Sequence, residues 1–419
     1  MLHLWSSMVA MSFVLPCLAG GATFQPLGTL DPDGFGPTIA YGTSGDGAVA
    51  VGQTISSPGF TAFRWTEERG LVSLGAFPNP GGFTGSWARA ANHDGSVIVG
   101  SSLMPNSLNE DGSPFRWSAG TGLVWLGTLG GSDGGVARGV SADGSVVVGY
   151  GSNANFNPEA FRWTEEGGIV GLGDVAGGPF NSQAAGVSAD GSIVVGLASK
   201  AFVYDTSFKW TQATGLVQIV PGSFRVVNIS RDGHYAVGGN NGRAARVDLG
   251  TSTLFSIPHI AIPGLNTDTD LAWGANGDGT VVVGMQNLSQ GNGFLGRAFI
   301  WDPTHGTRIL KNLLVQQYGL GTQLAGWELN CATSVSDDGL TLVGYGMAPS
   351  GEQAAWRVVL PNPCPSDLNH DGVVDGADLG ALLAAWESSS GPADLNQDGT
   401  VDGADLGLIL AAWGGCAAF

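Results

Sequence analysis

The sequence predicts an all-β repeat domain, a seven-bladed β-propeller, followed by a small α-helical domain with paired Asp-rich loops. A segment of about 47 residues recurs seven times between Thr23 and Leu360, which is typical of a repeat architecture. A complete copy contains four short apolar runs separated by Gly-containing turns, and four strands make one propeller blade. After Leu360 the pattern changes to Asp-rich loops, each followed by apolar residues at helical spacing.

The composition of the 419 residues agrees with a protein of short strands and turns. Gly occupies 70 positions, apolar residues make up 43% and charged residues only 12%, which argues against a disordered or a charge-rich helical chain. The net charge of −19 argues against binding to nucleic acid or anionic lipid, because both need patches of Lys and Arg. Residues 365–419 hold nine acidic residues and no Lys or Arg, so cations are the expected partners of this part.

Each repeat opens with two apolar runs separated by an Asp-Gly dipeptide, and the clearest copy runs from Ala137 to Gly149. The dipeptides are Asp46-Gly47, Asp94-Gly95, Asp143-Gly144, Asp190-Gly191, Asp232-Gly233, Asp278-Gly279 and Asp338-Gly339. A tight hairpin needs positive φ in its turn, which Gly supplies without steric cost. Each dipeptide therefore predicts a hairpin, and we interpret its Asp as a turn residue rather than as a ligand.

An Ala-Phe-Arg-Trp motif predicts the third strand, and a Leu-Gly run after the next turn predicts the fourth. The Trp residues of the motif are Trp65, Trp117, Trp163, Trp210 and Trp301. Because they share one strand position, we expect them to pack between blades rather than to stack on a sugar. The motif's arginines, Arg64, Arg116 and Arg162, are expected to lie over aromatic rings or on the solvent face, and lining a groove is the alternative.

The two ends of the repeat region favour a closed ring. The seventh repeat stops after its third run, at residues 354–360, and lacks the Leu-Gly run. The missing run occurs at the other terminus, where residues 24–30 match the segment from Leu126 to Leu129. We therefore expect an N-terminal strand to complete the last blade, which leaves no free sheet edge.

The segments Ser-Ala-Asp-Gly-Ser-Val-Val-Val-Gly, Ala-Phe-Arg-Trp-Thr and Leu-Gly-Thr-Leu-Gly-Gly resemble the HAF repeats of extracellular bacterial proteins, over residues 23–360. This resemblance implies no general catalytic role. The sequence has no Gly-x-Ser-x-Gly elbow, His-Glu-x-x-His motif or Walker loop, and its six His lack metal-ligand spacing. Carboxylate pairs for glycoside hydrolysis are set by distance in space, so the sequence leaves that reaction open.

The strongest chemical signal is a loop pattern that occurs twice near the C-terminus. Asp or Asn stands at loop positions 1, 3, 5, 9 and 12, Gly at 6, and position 7 offers its carbonyl oxygen. The expected ligands are Asp367, Asn369, Asp371, Val373, Asp375 and Asp378 in the first loop, and Asp394, Asn396, Asp398, Thr400, Asp402 and Asp405 in the second. This is the EF-hand scheme, and it predicts two Ca²⁺ sites. Because the acidic ligands repel one another, folding is expected to be coupled to the metal.

An apolar stripe follows each loop at the spacing of an α-helix. The stripes are Leu379, Leu382, Leu383 and Trp386 in the first copy, and Leu406, Ile409, Leu410 and Trp413 in the second. We expect two helices that pack together through these stripes.

Paired loops with Asp at position 12 resemble a type I dockerin, and the ending Trp413-Gly-Gly-Cys416 resembles the GC-type dockerin-like domains. The resemblance implies calcium-dependent anchoring to a protein or surface partner. Cellulosomal dockerins often carry hydroxyl residues at loop positions 10 and 11 that help to recognise the cohesin. Here these positions are Gly376-Ala377 and Gly403-Ala404, so we expect a partner other than an ordinary cohesin.

The N-terminus predicts export. Residues 8–18 are apolar and small residues follow them, which is typical of a signal peptide, although the segment before them lacks Lys and Arg. No later apolar stretch is long enough to span a membrane. In an oxidising compartment Cys364 and Cys416 are expected to pair, and pairing of Cys331 with Cys364 is the alternative.

The predicted organisation is a signal peptide over residues 1–22, the HAF-repeat propeller over 23–360, a linker over 361–366 and the dockerin-like domain over 367–416. Our first hypothesis is a secreted, non-enzymatic binding or display protein that is tethered to an extracellular or cell-surface partner by its calcium module. Two alternatives are a secreted enzyme or lectin of polysaccharide degradation, which would bind a glycan, and a structural surface protein. A pocket is expected near the long loops 101–113 and 311–330.

Overall fold

The structure is a computed structural model that divides into two compact units. It describes residues 21–31, 36–56, 59–78, 84–104, 112–199, 206–220, 222–261, 269–286, 296–369, 373–388, 391–396 and 398–415. Residues Ala22–Leu360 form the propeller unit, and residues Pro361–Ala417 belong to the C-terminal unit. Within the described part of the chain, no helix is long and apolar enough to cross a membrane.

Blades 1 to 3 are four-stranded antiparallel sheets whose strands follow one another in chain order. Blade 1 contains β2 (Thr38–Thr43), β3 (Val49–Ser56), β4 (Gly59–Thr66) and β5 (Gly70–Gly75). Blade 2 contains β6 (Ser86–Ala91), β7 (Val97–Ser102), β8 (Ser113–Ser118) and β9 (Gly122–Trp125). Blade 3 contains β10 (Gly130–Val140), β11 (Val146–Asn153), β12 (Pro158–Thr164) and β13 (Gly168–Gly173).

Blades 4 to 6 repeat this order. Blade 4 contains β14 (Ser182–Val187), β15 (Val194–Ala198), β16 (Thr206–Thr211) and β17 (Gly215–Gln218). Blade 5 contains β18 (Arg225–Ile229), β19 (Tyr235–Asn240), β20 (Arg243–Asp248) and β21 (Thr253–Ser256). Blade 6 contains β22 (Leu271–Ala275), β23 (Val282–Gln286), β24 (Arg297–Asp302) and β25 (Gly306–Ile309).

Blade 7 joins the two ends of the unit. Its first three strands are β26 (Glu328–Val335), β27 (Thr341–Met347) and β28 (Gln353–Val359), and its fourth is the N-terminal strand β1 (Thr23–Pro26). β1 pairs antiparallel with β28, with Phe24 opposite Val358. The prediction of seven blades closed by an N-terminal strand is therefore confirmed. Because each first strand contacts the first strands of the two neighbouring blades, these strands surround the central axis.

The Asp-Gly dipeptides form the turns between the first and second strands, as predicted. In blade 3 the loop is longer than a two-residue hairpin turn, because Ser141 N donates to Val146 O and four residues lie between them. Asp143 Oδ1 accepts from Ser141 Oγ at 2.6 Å and from Ser145 N at 3.0 Å. In all seven turns the Gly has a positive φ, between 64° and 78°. The Asp carboxylates thus hold the turns, which agrees with their interpretation as turn residues.

The core of the propeller unit lies between neighbouring blades. Phe161 of blade 3 is fully buried and shares a cluster with Val97 and Val99 of blade 2. Trp163 is partly buried against that cluster, whereas Trp65 packs fully between blades 1 and 7. The predicted packing of the motif's Trp residues between blades is confirmed at these positions. In blade 7, Trp356 pairs with Gly344 and so takes the place of the Phe rather than that of the Trp.

In its described residues, the C-terminal unit contains two short helices and one small strand pair. The helices are α2 (Gly376–Ala384) and α3 (Gly403–Ala411), and β29 (Val373–Val374) pairs with β30 (Gly414–Gly415). A third helix of the chain, α1 (Leu310–Gln316), belongs to the propeller unit. Val374 and Val401 are fully buried and form the core of the C-terminal unit with Leu382 and Ile409.

Candidate functional sites

The predicted calcium ligands lie on two loops that precede α2 and α3. In the first loop the structure describes every predicted ligand except Asp371, which lies outside the described residues. In the second loop all six are described. Each loop ends at the N-terminus of its helix, where Asp375 or Asp402 is the N-cap. The described ligands of each set therefore lie on one loop and on the first turn of the helix that follows it.

The ends of the two loops have the same conformation. Asp375 has φ −142° and ψ −159°, and Asp402 has φ −143° and ψ −158°. Asp378 accepts backbone hydrogen bonds from Leu368, Asn369 and Asp375 at 2.7, 3.1 and 2.9 Å. Asp405 accepts the equivalent three bonds at 2.7, 3.1 and 2.9 Å. The described ends of the two loops thus share one geometry.

Asp378 and Asp405 hold the two ends of each loop together. Both residues are fully buried. Burial acts to raise the pKa of each carboxyl, but the backbone N–H groups outweigh it and hold the pKa below its usual range. A carboxylate offers about four acceptor positions, and three are already used in each case. The carboxylates at position 12 therefore have a structural role, with about one acceptor position left for a cation.

The middle of the second loop turns its oxygen atoms toward its own backbone. Asp394 accepts from Asp398 N at 3.2 Å and from Gly399 N at 3.0 Å, one bond to each of its carboxylate oxygens. Asn396 Oδ1 accepts from Asp398 N at 2.9 Å. The side-chain oxygens at positions 1 and 3 thus converge on the same stretch of backbone. Among the described residues no three His, Cys, Asp or Glu side chains form a metal-binding group, so Asn and carbonyl oxygens would have to complete a site.

The predicted apolar stripes are only partly buried. Leu382 and Ile409 are fully buried. In contrast, Leu383, Trp386, Leu410 and Trp413 are 52%, 39%, 55% and 50% exposed. The two helices contact each other, but only Leu382 and Ile409 of the stripes are fully buried, because Val374 and Val401 from the loops fill the rest of the core. The exposed side chains stand at equivalent positions after the two loops.

The first strands of the seven blades share one irregularity, a β-bulge at the same position. Its residues, here called the bulge ring, are Tyr41, Arg89, Arg138, Ala185, Val227, Trp273 and Thr333. A bulge places two residues opposite one and re-aims a side chain. All seven residues line one cavity of about 620 Å³ on the axis of the propeller.

The bulge explains the Gly that ends the second apolar run of every repeat. Gly149 lies opposite the bulge, and a Cβ there would overlap the carbonyl oxygen of Val136. The equivalent glycines in the other six blades face the same overlap with a first-strand carbonyl. Only Gly fits this close approach. The repeated Gly is thus a sequence signal of the bulge, and therefore of the residue that lines the channel.

Tyrosine, tryptophan and arginine side chains dominate the polar part of the cavity. The Arg89 guanidinium lies 4.4 Å from the centre of the Tyr41 ring, and the Arg138 guanidinium lies 4.8 Å from that of Tyr150. Three buried polar atoms in the lining have no hydrogen-bond partner: Arg89 Nε, Ser101 Oγ and Trp273 Nε1. Such atoms carry a desolvation penalty that a bound ligand can relieve.

A ring of backbone hydrogen bonds surrounds the axis at the Asp-Gly turns. The links run from Asp46 N to His93 O, His93 N to Ala142 O, Ala142 N to Ala189 O, Ala189 N to Arg231 O, Asp232 N to Gly277 O, Gly277 N to Asp337 O and Asp337 N to Gly45 O, at 2.7–3.1 Å. Every blade is thereby bonded to the next. This end of the propeller is closed independently of the N-terminal strand.

Three side chains meet across this ring, and we call them the cap cluster: His93, Arg231 and Asp337. His93 Nδ1 lies 2.9 Å from Asp337 Oδ2, and Arg231 Nε lies 3.2 Å from Asp337 Oδ1. Arg231 also donates to the carbonyl of Ala91 at 3.3 Å, so it reaches from blade 5 to blade 2. A Cβ at Gly45 would overlap both His93 and Asp337. The cap cluster therefore occupies the turn end of the channel.

The arginines of the Ala-Phe-Arg-Trp motif connect blades rather than line the channel. Arg64 donates to Gly95 O at 3.5 Å and Arg116 to Gly144 O at 3.3 Å, each in the next blade's Asp-Gly turn. Arg246 is the equivalent arginine of blade 5. Its guanidinium group lies 4.2 Å from the centre of the Tyr235 ring, which is the expected position over an aromatic ring. Sequence reasoning therefore missed the arginines of the channel, Arg89 and Arg138, which lie on the first strands.

Two further sequence expectations are decided by the structure. Cys331 is a buried free thiol and Cys364 is disulfide-bonded, so the alternative pairing of these two residues is wrong. The expected partner, Cys416, lies outside the described residues. Segment 311–330 does not line the cavity, because α1, Leu320 and Leu324 pack into the core of blades 6 and 7.

No protein-family model and no curated protein match the sequence. Among solved structures, oligogalacturonate lyase from Vibrio parahaemolyticus is similar, with a TM-score of 0.50, 11% identity and coverage of 82% of this chain and 98% of that chain. TolB from Acinetobacter baumannii has a TM-score of 0.40 and 16% identity over 64% of this chain, and the chain spans 61% of that protein's length. Putative TolB from Agrobacterium tumefaciens has a TM-score of 0.43, 17% identity and coverage of 70% and 95%. The chain therefore shares the β-propeller fold of the lyase.

Proposed function

We propose that this chain is a secreted, non-enzymatic binding protein whose C-terminal unit binds two calcium ions and attaches the propeller to an extracellular or cell-surface partner. The observation that carries the proposal is the shared geometry of the two loops. Their N-caps agree within 1° in φ and ψ, and their position-12 carboxylates accept three bonds of equal length. A chance Asp-rich turn has no reason to occur twice in one conformation.

The donor set of each loop fits a hard cation. Calcium prefers six to eight oxygen ligands from carboxylates, amides and carbonyls. In the second loop, Asp394 uses two of about four acceptor positions for backbone N–H groups, which leaves others for a metal. Asp405 keeps about one position, so its part in binding is smaller than that of Asp394. Bound calcium would neutralise the repulsion between these carboxylates.

Attachment is supported by the surface of the C-terminal unit. Leu383 and Trp386 after the first loop, and Leu410 and Trp413 after the second, are large apolar side chains that stay exposed. Exposed apolar groups of this size beside polar residues are typical of interaction surfaces. Each pair of exposed side chains follows one loop on the helix that this loop begins, so the position of the pair depends on the conformation of that loop. A partner that contacts them would therefore bind only when the loops are ordered.

A calcium titration of the full chain tests the metal sites. After chelation of all metal, isothermal titration should show two sites, and Asp394→Asn should remove or weaken one of them. Asp367→Asn should act on the other, and Glu166→Gln, an exposed change in the propeller unit, should leave both. Absence of binding, or two unchanged sites in the Asp367→Asn and Asp394→Asn double variant, would refute the ligand assignment.

Attachment is tested on cells that produce and export the chain. The chain should be retained at the cell surface in calcium and released into the medium by a chelator. The double variant Asp367→Asn and Asp394→Asn should appear in the medium even when calcium is present. Equal retention of the double variant would show that the C-terminal unit does not attach the chain through calcium.

A further inference from the structure

We propose that the axial channel of the propeller binds a small carboxylate that carries a flat ring face. This inference rests on the proposed binding function and gives it a ligand class. The site is the cavity lined by the bulge ring together with Trp87, Ser101, Tyr150 and Tyr345. Its volume of about 620 Å³ lies within the range of small-molecule sites in proteins.

The charge of the channel is opposite to that of the chain. Arg89 and Arg138 are the charged side chains among the described residues that line it, and no Asp or Glu is among them. The whole chain has a net charge of −19. Two guanidinium groups in a concave, partly buried site attract an anion, and Arg pairs with carboxylates through parallel hydrogen bonds. The channel is therefore a local anion site in an acidic protein.

The hydrogen-bonding atoms that lack partners also favour an acceptor ligand. Arg89 Nε and Trp273 Nε1 can only donate, and both are buried without a partner. Ser101 Oγ, which can donate as well, is buried in the same lining. A carboxylate supplies about four acceptor positions and can satisfy several such donors at once. Relief of these unpaired donors would contribute to affinity.

The aromatic side chains give the site its second property. Tyr41, Trp87, Trp273 and Tyr345 line the same cavity as the two arginines. Aromatic faces bind flat apolar surfaces, whether of an aromatic ring or of a sugar ring. The Arg89 and Arg138 guanidinium groups already lie over Tyr41 and Tyr150, so their orientation is fixed before a ligand arrives.

The repeats themselves single out the bulge ring. Six of the seven residues before it are Ala and one is Val, and those after it are Gly, Ala, Asn or Ser. The bulge residue alone varies between Tyr, Arg, Ala, Val, Trp and Thr. Blades 1 to 3 supply Tyr41, Arg89 and Arg138, whereas blades 4 and 5 supply Ala185 and Val227. The two charged residues of the bulge ring thus come from neighbouring blades, 2 and 3.

The test is calorimetric titration of the full chain with two pairs of probes. Galacturonate is compared with galactose, and 4-hydroxybenzoate is compared with 4-hydroxybenzyl alcohol. We expect at least one of the acids to bind, and its neutral partner to bind at least about tenfold more weakly, which is the loss of one charge-assisted contact. Binding of galacturonate identifies an acidic sugar as the source, and binding of 4-hydroxybenzoate identifies an aromatic acid. If neither acid binds, or if the neutral partners bind equally well, the proposal is wrong.

Variants show whether binding occurs in the channel. Arg89→Gln should weaken the binding of the acid at least about tenfold. The exposed Arg69→Gln, which makes the same change outside the channel, should have no effect. Trp273→Phe keeps an aromatic ring and removes the Nε1–H donor, so it serves if Arg89→Gln does not fold and should also weaken binding. Unchanged binding in folded Arg89→Gln or in Trp273→Phe would place the acid elsewhere.

Calcium separates this proposal from the proposed function. The channel lies in the propeller unit and its lining includes none of the predicted calcium ligands. Binding of the acid should therefore be the same in calcium and in chelator. If the acid binds but the calcium titration finds no sites, only the metal assignment is refuted. If calcium binds but neither acid does, only the channel ligand is refuted.

Discussion

Leu27 offers a sharp test of the closure of the ring. This residue follows β1, is 4% exposed, and packs between Phe63 and Trp65 of blade 1 and Val343 of blade 7. Its backbone N–H donates to Ala355 O at 3.0 Å. Leu126 holds the equivalent place in blade 2, is 5% exposed, and donates to Pro114 O at 3.1 Å. The two leucines thus have equivalent surroundings, but only Leu27 directly follows the strand that closes the ring.

The change Leu27→Ala should lower the free energy of unfolding by about 3 kcal/mol, the middle of the range for a buried Leu. The propeller unit has about 340 residues, from Ala22 to Leu360, and an unfolding entropy of about 2.1 cal/mol/K per residue. The entropy of unfolding is then about 0.7 kcal/mol/K, so the expected fall in Tm is about 4 °C. Leu126→Ala should give a fall of similar size.

The assay is thermal unfolding of both variants beside the unchanged chain. If β1 were not docked on β28, Leu27 would be exposed and its truncation would have almost no effect. A Tm that falls for Leu126→Ala but not for Leu27→Ala would therefore refute the closure by the N-terminal strand. Deletion of residues 23–30 should destabilise the propeller further, because it exposes the edge of β28 and removes all the pairing of β1.

Three further predictions concern the propeller unit. Gly149→Ala should destabilise it by about 1–3 kcal/mol because the new methyl group overlaps the backbone carbonyl oxygen of Val136, whereas Gly120→Ala, which meets no atom within 4 Å, should be nearly neutral; equal denaturation midpoints would contradict this. The pKa of the Asp143 carboxyl is lowered by the hydrogen bond from Ser141 and by backbone N–H groups, so its contribution to stability is present above the unfolded pKa of about 4 and is lost as pH falls through the lower folded value. Thermal unfolding between pH 6 and 2 should therefore show a shallower loss of Tm for Asp143→Asn, and parallel curves would be evidence against it. Burial raises the pKa of the Cys331 thiol, so a thiol reagent should label it only after unfolding, and rapid labelling of the folded chain would contradict its burial.

The fold could be predicted from the sequence because the repeats carry local rules that act in every copy. Asp-Gly supplies the positive φ of each turn, and a buried Phe on the third strand of five blades fills the space between blades. The missing fourth run of the last repeat, matched by residues 24–30, was enough to predict the closure. Each of these signals is set by residues nearby in the chain or by the equivalent residues of the next blade.

The channel could not be predicted in the same way, because its residues meet only after the ring has closed. Arg89 and Arg138 are separated from Trp273 by more than one blade, and nothing in the chain near them indicates a shared cavity. The repeated Gly at the end of each second strand was visible, but its cause, the bulge opposite it, is a property of the paired strands. The candidate calcium ligands could be named from the sequence, because each set lies within one short loop.

The apolar stripes of the C-terminal unit show how a correct pattern can be interpreted too far. The spacing of Leu379, Leu382 and Leu383 indicated a helix, and α2 is present. It did not indicate how much of the stripe would be covered, because Val374 and Val401 reach the core from the loops. Leu383 consequently stays 52% exposed.

The most direct test of the account is calorimetric unfolding of the full chain with and without calcium. Two transitions are expected, and the one with the larger enthalpy belongs to the propeller unit because enthalpy scales with the number of residues. Calcium at about one hundred times its Kd should stabilise the smaller transition by about 2.7 kcal/mol for each site, or about 5.4 kcal/mol for the two, and leave the larger one unchanged. If calcium changes the Tm of neither transition, or only that of the larger one, the C-terminal unit is not the calcium-dependent part of the chain.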